Sequence, residues 1–111
     1  MPQSIAATEL PSLVGTELGV SDWLMIDQDR VNDFADATLD HQFIHVDPEK
    51  AALTPFGGTI AHGFLTLSLL PHLLESSSVP VEDTLMAVNY GTDKVRFLQP
   101  VKVGSRIRAR T

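Results

Sequence analysis

Asp40 and His45 stand five positions apart in the run Asp40-His41-Gln42-Phe43-Ile44-His45. An imidazole titrates near neutral pH, so it can take and return a proton within one turnover. A carboxylate beside it can orient the ring, raise its basicity or share a water with it. The same spacing also suits a plainer arrangement, in which Asp40 caps a turn and His45 is a hydrogen-bonded packing residue. Spacing alone leaves both open. Further along, His62-Gly63 opens a strongly apolar run. Backbone N–H groups at a helix start lack intrahelical partners and suit a developing oxyanion. Gly63 would let a ligand approach closely, or would merely permit tight packing. His41 and His45 are four apart, and Asp40 and His62 could join them around a metal. Phe43-Ile44 and the nearby Pro48 argue for a loop there, where that spacing loses its meaning, and no His-Glu-x-x-His pattern occurs. No metal site is expected.

These residues need elements to hold them. Val31, Phe34, Ala35 and Thr38 follow a helical spacing, with Asp27 or Asp29 placed to cap it. This helix should end near Thr38-Leu39, leaving residues 40–45 as a loop facing a cleft. Asp47-Pro48-Glu49 is a strong helix start: a cap, a proline in the first turn and an early negative charge. Pro55 and Gly57-Gly58 keep that helix short. Thr59 to Leu74 then reads as a longer helix, apolar nearly all round and hence buried on most sides, with Pro71 kinking it or costing it a turn. Strands are expected at Ser21–Ile26, Leu85–Tyr90, Lys94–Leu98 and the alternating Arg106–Arg110. Residues 1–14 lack a period and read as a loosely held arm.

The chain has 111 residues, enough for one domain, expected to span residues 1–111. It has no cysteine, which excludes a disulfide framework and a thiolate metal site and fits a reducing, cytoplasmic setting. The N-terminus has neither the charge nor the apolar core of a secretory signal. No apolar run is long enough to span a bilayer. Before Lys94 there are 14 acidic and two basic residues; from Lys94 on there are six basic and none acidic. The net charge of −6 and the few aromatic residues argue against nucleic acid as a partner. The basic end reads either as the solvated face of a strand or as a rim for a phosphate-bearing ligand.

The motifs Asp40–His45, Val46-Asp47-Pro48, Ala51-Ala52, Pro55-Phe56-Gly57, Ile60-Ala61-His62-Gly63, Val95-Arg96-Phe97, Pro100-Val101 and Val103-Gly104 occur in an order that resembles the MaoC-like (R)-specific enoyl-CoA hydratase family. Its mycobacterial and nodulation-protein-N-like branches look nearest. The resemblance runs from about Gly15 to Arg108. It implies an α+β hot-dog fold, an antiparallel sheet wrapped around a long central helix, with homodimers joined through their sheets. It implies hydration of a trans-2-enoyl thioester to the (R)-3-hydroxyacyl thioester, and the reverse. Asp40 and His45 match the acid/base pair, and Gly63, with His62 beside it, matches the oxyanion and substrate-binding position. Arg96, Lys102 and Arg106 are looser candidates for phosphate contacts. Acyl-CoA or acyl-carrier protein would be the substrate's handle, with no cofactor required. The usual motif has Gly, Asn and Pro where Leu39, Gln42 and Phe43 stand here. Family members also carry further strands beyond this point, so the sheet is expected to be truncated or completed by another chain. An acyl-CoA thioesterase of the same fold, and a non-catalytic thioester-binding subunit, are the competing functions.

Overall fold

The computed structural model describes residues 4–111. The first three residues of the expected arm lie outside them. The rest of that arm forms a 3-10 helix over Ala7–Leu13 that buries nothing. It is tied down just before, at Ile5, which is buried and pairs through backbone bonds with Pro80 and Glu82.

Strand β1 (Leu24–Met25) leads into helix α1 (Gln28–Thr38). The Asp27 carboxylate caps α1 by accepting the Arg30 N–H at 2.9 Å. Val31 and Ala35 are fully buried, as the spacing predicts, and Leu39 ends the helix in the left-handed conformation. Residues 40–45 are expected as loop, but from Phe43 the chain instead forms a single helical turn, α2 (Phe43–Val46). Asp47 closes α2 and caps α3 (Pro48–Ala51), accepting the Lys50 N–H at 3.1 Å.

The long helix expected over Thr59–Leu74 is shorter and broken. Residues 59–61 are extended because they pair with residues 101–103: Ala61 N–H donates to the Val101 carbonyl at 2.8 Å and Val103 N–H to the Thr59 carbonyl at 3.0 Å. The helix begins only at Gly63, as α4 (Gly63–Ser68), and restarts after Leu69 as α5 (Leu70–Ser77). Pro71 sits in the first turn of α5, where its missing N–H costs least. Strand β2 (Arg106–Ile107) pairs antiparallel with β1, Leu24 opposite Ile107 and Met25 opposite Arg106. Ile26, Val31, Ala61 and Leu65 form the core, closed by Phe34, Leu69, Val101, Val103 and Ile107. Thus β1, α1, the 59–61 segment, α4 and β2 all meet at one point.

The expected strands at 85–90 and 94–98 do not form. A strand needs a neighbour to take its N–H and C=O groups. None of the described residues pairs with these segments, and Leu85, Val88, Tyr90 and Leu98 stand exposed.

Candidate active site

The 59–61 segment and α2 lie side by side. Ile60 N–H donates to the Ile44 carbonyl at 3.0 Å, and the Ile60 carbonyl lies 2.7 Å from His45 Nδ1. A carbonyl can only accept, so His45 carries its hydrogen on Nδ1 and keeps a lone pair on Nε2. Gln28 holds the same residue from behind. Its amide donates to the His45 carbonyl at 2.7 Å, and its own oxygen accepts the Thr59 hydroxyl at 2.6 Å. His45 is thus a buried imidazole of fixed tautomer with one free acceptor.

His62, the residue that precedes α4, is also buried. Its Nε2 lies 3.0 Å from the Asp40 backbone carbonyl, which makes Nε2 the donor and Nδ1 the acceptor. That Nδ1 is buried and has no hydrogen-bond partner among the described residues. The ring stacks on His45, centroids 3.8 Å apart and planes 23° apart, and tilts against Phe34 on its other contact.

Asp40 follows Leu39, whose φ of 65° turns the chain out of α1. Its side chain is exposed and accepts the Gln42 N–H at 3.3 Å. One ligand-capable atom each from Asp40, His45 and His62 lies within 4.8 Å of the others. The structure therefore brings together three residues that the sequence singles out. These three are also the ones that could reach a cation. The same three could instead share a water or a proton, since the two rings are stacked within reach of the Asp40 carboxylate. His41 is not part of it: its ring pairs with Asp36 at 2.9 Å on the surface.

His45 and Gly63 both line a cleft of about 480 Å³, with Ile60, Thr66, Arg96 and Phe97. The Gly63 N–H, at the first position of α4, makes no hydrogen bond to the described residues. A Cβ on Gly63 would lie 2.9 Å from the Phe97 ring. The glycine therefore packs closely under Phe97, and its N–H has no partner among the described residues. Of the loosely assigned cations, Arg96 lines this cleft. Lys102 makes an isolated antiparallel bridge with Ile60 and is not among the cleft's lining residues, and neither is Arg106, which stacks on Trp23. A larger opening, about 690 Å³ between α4, α5 and residues 88–92, holds no titratable acid or base beyond Tyr90. Gln28 and Thr59 carry no sequence signal as site residues, since they meet across 31 positions.

The family model described as MaoC like domain matches residues 9–111. Nodulation protein N of Rhizobium leguminosarum bv. viciae is 55% identical over 107 residues, which cover 96% of this chain and 66% of that protein. The 3-hydroxyacyl-thioester dehydratase Z of Mycobacterium tuberculosis (strain ATCC 25618 / H37Rv) is 56% identical over 104 residues, covering 94% of this chain and 68% of its own. Among solved structures, the (R)-hydratase from A. caviae involved in PHA biosynthesis superposes with a TM-score of 0.64 at 30% identity, covering 87% of this chain and 71% of that one. An R-hydratase from Pseudomonas aeruginosa gives 0.66 at 28%, covering 85% and 59%. The chain spans about two thirds of the length of the sequence relatives it matches.

Proposed function

We propose a reaction from the premise that this chain belongs to the MaoC-like dehydratase domain family, with the hot-dog fold of the hydratases it resembles. The reaction is the reversible addition of water to a trans-2-enoyl thioester, giving the (R)-3-hydroxyacyl thioester. The observation that carries it is the pairing, on one cleft, of a histidine locked with Nε2 free and a glycine N–H without an acceptor.

The steps follow from those groups. The Gly63 N–H donates a hydrogen bond to the thioester carbonyl oxygen, stabilises the charge that builds there, and so makes C3 electrophilic. A single such donor is worth about 3 kcal/mol in the transition state. Asp40 and the His45 Nε2 hold a water, and His45 takes one of its protons as the oxygen bonds to C3. The enolate then collapses as the proton that His45 took is returned to C2, which restores the neutral ring. Acid/base assistance of this kind contributes about 10²–10⁴-fold. Water and substrate balance the equation, so the steps call for no cofactor. Arg96 on the cleft is suited to a phosphate of the thioester's handle. We place the reaction in the cytoplasm, in a homodimer whose second subunit covers the exposed 85–98 segment.

The test is product analysis with crotonyl-CoA. Formation of (R)-3-hydroxybutyryl-CoA with the thioester intact supports hydration. Release of free CoA instead would mean attack at the carbonyl carbon, the thioesterase reading. Saturable binding without either product would mean a thioester-binding subunit.

A further inference from the structure

On the outer face of the β1–β2 ribbon, away from the cleft, Arg106 and Arg108 both lie over the ring of Trp23. Their guanidinium carbons are 4.9 and 4.3 Å from its centroid. The register explains the grouping. Leu24 and Ile107 pair on the inner face and join the core, so Trp23, Met25 and Arg106 turn outward. Trp23 is 48% exposed and Met25 54%. Neither arginine makes an ion pair among the described residues, whereas the neighbouring Arg110 lies 3.8 Å from Glu17.

A guanidinium lying over an indole is held by its face and keeps its in-plane N–H groups free. Those N–H groups match a carboxylate in bidentate fashion. Two such forks, already ordered on a half-exposed tryptophan, lose little freedom on binding, and Trp and Arg are the residues that dominate protein interfaces. The charge is local: the last 18 residues carry six basic groups and no acidic one, in a chain of net charge −6. An acidic protein surface fits this face. A nucleic acid would meet the acidic remainder of the molecule.

We propose that Trp23, Arg106 and Arg108 form a docking face for an acidic acyl-carrier protein. This deepens the hydration reading by naming the carrier of the thioester, and rests on it. The geometry joins face to cleft: Arg106 follows the cleft-lining Val101 by five residues, so their backbones are at most about 18 Å apart. A flexible pantetheine arm can cover such a span while its carrier stays on the surface.

Trp23 is the sole tryptophan, so its emission reports the face directly. The experiment titrates the protein with purified crotonyl-loaded acyl-carrier protein, and separately with crotonyl-CoA, while following that emission. The expected result is a saturable change with the carrier protein alone, with a midpoint raised at least about tenfold by Arg108→Glu and by high salt. In turnover, Arg108→Glu lowers kcat/KM by a similar factor on the carrier-linked substrate and leaves that on crotonyl-CoA unchanged. No emission change with the carrier protein, or a midpoint indifferent to Arg108→Glu and salt, overturns the proposal. So does an equal change with crotonyl-CoA, which would make the face a nucleotide contact. If neither thioester is turned over, the hydration reading fails, and the titration still decides the docking face.

Discussion

The imidazoles of His45 and His62 stack with centroids 3.8 Å apart, and the His62 Nε2–H reaches on to the Asp40 carbonyl at 3.0 Å. One buried side chain thus touches both members of the proposed acid/base pair. His62→Phe keeps the stacked face and removes the bond to Asp40. It should fold with stability within about 1 kcal/mol of the parent and lose about tenfold or more in turnover. His62→Ala removes the face as well and should cost about 2–4 kcal/mol in chemical denaturation. Full turnover in His62→Phe would show that the Asp40 contact positions nothing.

Gln28 bridges the His45 carbonyl and the Thr59 hydroxyl, and Thr59 is buried. Gln28→Ala leaves a buried hydroxyl and a carbonyl without partners. Such losses cost about 1–3 kcal/mol, read as a lower urea midpoint at unchanged slope. Turnover should fall too, with kcat affected more than KM, because His45 loses its rear support.

Leu39 holds φ at 65° and is 81% exposed. A side chain in that conformation costs about 1–2 kcal/mol, which glycine avoids. No packing is lost on removing it, while glycine loses more freedom on folding. Leu39→Gly is therefore expected to stabilise the chain by about 0.5–1 kcal/mol, seen as a raised denaturation midpoint. A lower midpoint would mean that the leucine makes contacts elsewhere, as in an assembly.

Gly63 sits under the Phe97 ring, 2.9 Å from where a Cβ would fall. Gly63→Ala must displace that ring, which lines the cleft, and should cost about 1–3 kcal/mol and most of the turnover. Phe97 is half exposed, so Phe97→Ala alone should be mild. In the Phe97→Ala background, Gly63→Ala should cost much less in stability, because the N–H is kept and the obstruction is gone. A double-mutant cycle reads this as a clear coupling energy; additive effects would separate the two residues.

Local signals were readable in the sequence; long-range ones were not. The caps at Asp27 and Asp47 and the buried stripe Val31–Ala35 depend on neighbours within four positions, and all appear in the structure. Thr59–Ala61 reads as helix because its apolar character continues into α4. It is extended because residues 101–103 take its backbone bonds, some 40 positions away. Conversely, Leu85–Tyr90 has strand-forming residues, yet propensity without a neighbour makes no strand. At the site, the residue types and spacing of Asp40, His45 and His62 were visible. The tautomer of His45 was not, since the Ile60 carbonyl that fixes it comes from another segment. Gln28, Thr59 and the Trp23–Arg108 stack carry no local signal for the same reason.

If Asp40 and His45 carry the proposed acid/base chemistry on an enoyl thioester, turnover needs both side chains. The most direct measurement follows the loss of enoyl absorbance of crotonyl-CoA with the parent protein, Asp40→Asn and His45→Gln. Asp40 is exposed, so its amide variant should match the parent in stability within about 0.5 kcal/mol. Turnover by the parent and a fall of about 10²–10⁴-fold in each variant are expected. Parental rates in folded Asp40→Asn and His45→Gln would contradict that chemistry.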